Sequence, residues 1–139
     1  MMMSEGEVIE SRLEASEDVT FDDYLKVIEY KTALAFETAS RLGAIISGGT
    51  EEEIESLADY GKNIGIAYQI RDDLHDWKNE DKLFNLLIKK SSDPRDIFDK
   101  MEELLKKYSD NAVFSIRKIK DSQAKDNLEN LVRFTRTTA

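Results

Sequence analysis

Gln69, Asp72, Asp73 and Asp76 lie in one run, Gly65-Ile-Ala-Tyr-Gln-Ile-Arg-Asp-Asp-Leu-His-Asp-Trp77. Their spacing is i, i+3, i+4, i+7, which on an α-helix places all four on one face. Three carboxylates on one face repel one another unless a cation stands between them. Mg²⁺ suits that place, because it takes oxygen ligands, commonly one or two carboxylates, and completes its shell with water and phosphate oxygens. The chemistry implied is a diphosphate held through Mg²⁺ on the wall of a helical bundle. A solvated helix face would carry the same three acids, so their surroundings have to decide. The preceding turns hold Gly61 and Gly65 among isoleucines and tyrosines. Glycine inside a helix costs roughly 1 kcal/mol relative to alanine, so both imply close approach of a second helix. Acids that continue such a segment are expected to face a cavity.

The elements that must position this face can be read from their caps. Residues 4–14 read as a short helix, with Ser4 and Glu7 as its cap. Thr20 with Asp23 forms a capping-box pattern opening a helix that carries Tyr24, Leu25, Ile28, Ala33, Leu34 and Leu42. It closes at Ser47-Gly48-Gly49, where glycine permits a left-handed C-cap. Thr50 with Glu53 repeats the box for a helix over 51–77, the one bearing the acids. Lys78-Asn79-Glu80 reads as a break, followed by a short apolar segment from Leu83 to Ile88. Asp93-Pro94 restarts a helix, Pro at its first position, running to about Lys107. A last helical region spans about 110–135, with a break near Asp121-Ser122. The expected class is all-α, about six helices, with no domain boundary inside residues 1–139.

Composition narrows the partners. The chain has 139 residues, 40% hydrophobic and 35% charged, with one Pro, six Gly and no Cys. Without cysteine there are no disulfides and no thiolate metal site, which fits a reducing compartment. The net charge of −9 disfavours nucleic acid and anionic membranes. No apolar run reaches membrane-spanning length, and Met1-Met-Met-Ser-Glu lacks the regions of a signal peptide, so a cytoplasmic chain is expected. The single histidine, His75, lies between the acids and is expected to point away from their face, giving no transition-metal cluster. Trp77 reads as a packing residue at the helix end, and Arg71 as a surface or ion-pairing residue. The glutamates at 51–53 favour a helix N-terminus, and Lys106, Lys107, Lys118 and Lys120 belong to solvated faces.

Several segments together resemble the trans-isoprenyl diphosphate synthase (polyprenyl synthetase) family. Tyr24-Leu-Lys-Val-Ile-Glu-Tyr-Lys-Thr-Ala33 is similar to the family's helix with its Lys-Thr pair, and Gly65 to Trp77 to its second aspartate-rich motif. Gly6-Glu7 resembles the end of a helix in the middle of that fold, and residues 121–131 its closing helices. The likeness covers nearly the whole chain but only the C-terminal portion of the isoprenoid synthase fold. It implies that Asp72 and Asp76 ligate Mg²⁺ bridging to an allylic diphosphate, with Asp73 in the first or second coordination sphere. Lys31 would contact that diphosphate as a point charge, Thr32 would donate a hydrogen bond, and Gln69 would line the cavity. Without the likeness, Lys31 is equally an exposed helical lysine. Tyr68, where the family usually has Phe, is compatible with a wall of the prenyl pocket.

Two departures qualify that implication. The family uses a second aspartate-rich helix facing the first, and only one Asp-Asp-x-x-Asp is present here. Asp22-Asp23 is followed by Tyr-Leu-Lys at a helix start and cannot substitute. The family's Gly-Lys stretch after the motif, which folds over the diphosphate, is reduced here to Lys78 and Lys82 without glycines, in a short loop. The chain alone is therefore expected to be inactive, and to act as part of a homo-oligomer or with a partner chain supplying the N-terminal half. A competing reading is a helical interaction protein or regulatory subunit that retains the scaffold, its acidic face merely solvated.

Overall fold

The computed structural model describes residues 19–136, so the helix expected over 4–14 and the Gly6-Glu7 likeness lie outside the described residues. The described residues form helices joined by short turns, with no strand. Helix α1 (Phe21–Ile28) begins at the expected cap, where Thr20 and Asp23 satisfy each other's backbone N–H groups. A single π-helical turn, Glu29–Ala33, follows and carries both Lys31 and Thr32. Helix α2 (Leu34–Ile46) continues the same rod. It stops where Gly48 takes φ +77° and the Gly48 and Gly49 N–H groups bond back to Ile45 and Ala44. That is the double-bonded glycine stop the Ser-Gly-Gly run implied.

Helix α3 (Glu51–His75) starts at the Thr50–Glu53 box and is the central rod, packed against α2 on one side and α5 on the other. It ends two residues before the expected Trp77. Asp76 is its C-cap, and Trp77 turns in to meet Phe98 edge-on at 5.6 Å, the packing role expected of it. The apolar segment after the turn is helix α4 (Leu83–Lys90).

Helix α5 (Pro94–Ser115) begins with Asp93 capping Asp96 N–H, and it corrects the expected end near Lys107. Met101, Leu105, Ser109 and Ala112 are buried at helical spacing, one stripe that runs through the proposed break. The real interruption comes at 116–122, before α6 (Gln123–Arg136), close to the expected Asp121-Ser122 break.

Two buried clusters hold the rods together. The larger joins Tyr24, Val27 and Ile28 to Ile66 and Ile70 of α3, Phe84 of α4 and Met101 of α5. Phe84, Ile70 and Met101 have almost no exposed surface, and each contributes about 1.5–3 kcal/mol by leaving water. The smaller cluster ties Tyr60 and Ile64 to Ala112, Ile116 and Val132.

Gly61 and Gly65 act as expected. A Cβ built on Gly61 would lie 2.6 Å from the Phe36 carbonyl oxygen, and one on Gly65 would lie 2.8 Å from the Phe36 ring, so α2 crosses α3 at near-backbone contact. The opposite side of α2 is bare. Leu34, Leu42, Ile45 and Ile46 are all exposed, Ile46 by 84%.

Candidate functional site

The crossing of the first rod with α3, closed by the start of α4, makes a cavity of about 170 Å³. Its floor is apolar, from Val27, Ile28, Leu83 and Phe84. Its polar rim is Lys31, Thr32, Gln69, Asp73, Asp81 and Lys82, with Tyr24 beneath Asp73. On α1 and the π-helical turn, Tyr24, Val27, Ile28 and Lys31 stand at i, i+3, i+4, i+7, one face. On α3, Gln69 and Asp73 are four apart and meet directly.

A continuous hydrogen-bond chain crosses the cavity. Thr32 Oγ1 donates to Gln69 Oε1 at 3.3 Å, and Gln69 Nε2 donates to Asp73 Oδ1 at 3.0 Å. The buried Tyr24 hydroxyl donates to Asp73 Oδ2. Lys82 Nζ lies 3.4 Å from Asp73 Oδ1 and 3.3 Å from Asp76 Oδ2. No buried side-chain polar atom among the described residues is left unpartnered.

Charge follows from that burial. Asp73 is only 4% exposed, and loss of water raises its pKa above the usual carboxylate value, with Tyr24, Lys82 and Gln69 pulling the other way. Burial, reinforced by the neighbouring Asp73 charge, pushes the Tyr24 hydroxyl well up, so it stays protonated and keeps its proton for the Asp73 carboxylate. Burial works against the Lys82 charge, but the two carboxylates outweigh it and hold its pKa above that of an ordinary lysine.

The expected residues are brought together unevenly. Lys31, Thr32, Gln69 and Asp73 line the cavity; Asp72 and Asp76 do not. Asp72 is half-buried on α3, whereas Asp76 has left the helix and its side chain is 49% exposed. Among the described residues no three His, Cys, Asp or Glu side chains are gathered closely enough to hold a metal ion. A cation does stand between two of the acids, the Lys82 ammonium, so Asp73 and Asp76 converge on a point that suits positive charge. Their hard oxygen donors are of the kind Mg²⁺ takes.

His75 is exposed at the helix end and lines no part of the cavity. Arg71 lies over the Phe134 ring at 4.3 Å, and Tyr68 is 42% exposed, away from the cavity. Tyr24 is the site residue that motif spacing missed, and Lys82 is expected from the sequence only as a remnant of the family's Gly-Lys stretch, not as a partner of Asp73. Tyr24 could have been found from its seven-residue offset to Lys31. Lys82 meets Asp73 across a turn, and no periodicity announces that contact.

The cavity thus lies in a bundle of packed helices, between a Lys-Thr turn and an aspartate-bearing rod. The family model for polyprenyl synthetase matches residues 1–93, and the chain belongs to that family. Geranylfarnesyl diphosphate synthase of Natronomonas pharaonis is 42% identical over 72 residues, 52% of this chain and 21% of that protein. Octaprenyl diphosphate synthase of Escherichia coli is 41% identical over 76 residues, 55% of this chain and 24% of that protein. Polyprenyl synthase from Roseobacter denitrificans superposes with a TM-score of 0.77 at 23% identity, over 95% of this chain and 58% of that one. A polyprenyl synthase from Caulobacter crescentus, solved with calcium and isoprenyl diphosphate, gives 0.76 at 26% identity over 96% of this chain and 53% of that one. The chain thus spans just over half the length of these solved structures, and a smaller share of the curated relatives. No helix among the described residues is long and apolar enough to cross a membrane.

Proposed function

We propose that residues 1–139 form one partial isoprenoid-synthase-like domain carrying half of a prenyl-transfer site, the half that holds an allylic diphosphate through Mg²⁺. The observation that carries this reading is the cavity in which Lys31, Thr32, Gln69, Asp73 and Lys82 meet from three separate elements. Lys31 and Lys82 bring positive charge to the diphosphate oxygens, and Thr32 is oriented by Gln69, with which it shares a hydrogen bond. Asp73 and Asp76, with Asp72 beside them on the same motif, are the carboxylates that would hold the metal. Bound there, Mg²⁺ would neutralise charge growing on a departing diphosphate and so favour ionisation to an allylic cation. The apolar floor keeps water from the carbon end of the ligand. The Caulobacter protein, crystallised with a divalent ion and an isoprenyl diphosphate, supports the same pairing of ligands here.

Condensation with isopentenyl diphosphate requires groups beyond this half, and the chain by itself is expected to turn over no substrate. The bare stripe Leu34, Leu42, Ile45 and Ile46 supports a partner, either another copy or a chain supplying the remaining part of the fold, that covers this face. A cytoplasmic location, expected from the sequence, suits this role.

Titration of the full chain with geranyl diphosphate by calorimetry tests the proposal. Binding should require Mg²⁺, and Lys31→Gln or Asp76→Asn should each weaken it at least about tenfold, the loss of one close charge contact. The alternative, a helical interaction protein, draws on the exposure of Asp76 and the absence of a three-acid cage among the described residues. It forecasts no diphosphate binding with or without Mg²⁺, and that result would remove the site reading.

A further inference from the structure

Lys82 is held in place more firmly than a surface lysine. The turn after α3 is closed by Asn79 N–H on the Asp76 carbonyl and by Lys82 N–H on the Asn79 carbonyl. Asn85 Nδ2 then binds the Trp77 carbonyl at 2.9 Å, tying α4 back to the turn. Leu83 and Phe84, which follow directly, are buried in the main core. The Lys82 backbone is thus fixed, and only the side chain is left to choose where its charge goes. It points at Asp73 and Asp76 while lining the cavity that Lys31 also lines.

This placement matters for any divalent ion. With the ammonium between them, two carboxylates carry a net charge of one, not two, and the position they converge on is filled. An ion arriving alone must displace Lys82, and no other anion on the cavity rim except Asp81 could receive it. The isolated swap therefore gives up two ion pairs, at 3.4 and 3.3 Å, with only Asp81 on the rim to replace them. A diphosphate in the cavity changes the balance, because its oxygens offer the ammonium a new partner within the reach of the same side chain.

Resting on the reading above, we propose that Lys82 is a resident counter-ion that closes the Asp73–Asp76 pair to free divalent cations and releases it when a diphosphate enters the cavity. Metal and diphosphate then bind as mutually dependent ligands. Lys82 is a positioning residue in this scheme, and the couplings run through Asp73 and Asp76.

Mn²⁺ is a suitable probe, followed by equilibrium dialysis and electron paramagnetic resonance on the full chain. Wild type should take up Mn²⁺ weakly alone and at least about tenfold more tightly with saturating inorganic pyrophosphate, as expected when a close like charge is removed. Lys82→Gln should bind Mn²⁺ alone at least about tenfold more tightly than wild type, and Lys82→Arg should behave as wild type. Far-UV circular dichroism checks that the variants are folded, and the wild-type pyrophosphate dependence tests the proposal without any variant. Equal Mn²⁺ affinity with and without pyrophosphate, or equal affinity of wild type and a folded Lys82→Gln, overturns the counter-ion role while leaving the diphosphate site standing. Failure of every form to retain Mn²⁺ even with pyrophosphate overturns both.

Discussion

The α2–α3 crossing makes a prediction whose sign differs between two glycines of neighbouring helices. Gly43 on α2 has nothing within 4 Å of where a Cβ would sit, so Gly43→Ala only gains helix propensity, about 1 kcal/mol. Gly61→Ala gains the same propensity but drives its methyl to 2.6 Å from the Phe36 carbonyl oxygen and 2.8 Å from Ser40 Cβ. Ser40 Oγ, at 2.2 Å, can rotate away, whereas the carbonyl oxygen belongs to a helix and cannot. Overpacking against backbone falls at the upper end of the usual range, about 3 kcal/mol, which leaves a net loss of about 2 kcal/mol. The two variants should therefore differ by about 3 kcal/mol in urea denaturation, with Gly43→Ala above wild type and Gly61→Ala below it. In thermal melts each kcal/mol should move the midpoint by about 3–5 °C. The same separation of rods would widen the 3.3 Å contact between Thr32 and Gln69, so Gly61→Ala should also weaken ligand binding in the cavity. A Gly61→Ala chain as stable as Gly43→Ala would refute the close crossing, and with it the account of how the two halves of the cavity are held in register.

Lys125 is buried and donates to the carbonyls of Arg117 and Ile119, at 3.2 and 2.7 Å. Lys125→Met should cost about 2–3 kcal/mol by stranding those oxygens, and hydrogen exchange should quicken across 116–122; unchanged exchange there would show that the ammonium does not organise the turn. Its further contact with the exposed Asp121 adds little, so Asp121→Ala should be nearly neutral in the same melts. Tyr24→Phe removes a hydrogen bond to the buried Asp73 and should lower stability by roughly 1–3 kcal/mol in chemical denaturation, while an unchanged midpoint would mean that the hydroxyl is not what holds the carboxylate.

Local signals carried most of the architecture. The Thr20–Asp23 and Thr50–Glu53 boxes and Asp93-Pro94 mark real helix starts because capping is settled within four residues. Gly61 and Gly65 announced a close helix because nothing else favours glycine there. The expected interruption between Lys107 and Asp110 is absent, because Ser109 continues the buried stripe of α5. In the structure its hydroxyl is buried against Thr135, 26 residues away, a partner no local pattern supplies. The meeting of Lys31 and Thr32 with Gln69 came from family likeness, and the cavity gives it a physical form. The division of the acidic motif, with Asp73 inside and Asp72 and Asp76 outside, was not legible. It depends on where α3 stops and on Lys82 reaching back, both decided by packing of Trp77 and Phe84.

The π-helical turn at Glu29–Ala33 has a consequence for how this rod tolerates change. Such a turn is wider than an α-helical one by a residue, so it shifts the angular phase of everything that follows. Drawing that turn in to α-helical geometry with no residue removed would rotate α2 by about 100° about its own axis, whereas deleting one residue as well would leave α2 close to its present setting. In the first case the packing fails: Phe36 and Ser40 would swing off Gly61 and Gly65, and the bare leucines would be carried round toward α3. The wide turn is thus the vernier of the rod: it lets one helix present a lysine and a threonine to the cavity and, a few residues on, a flat side to two glycines.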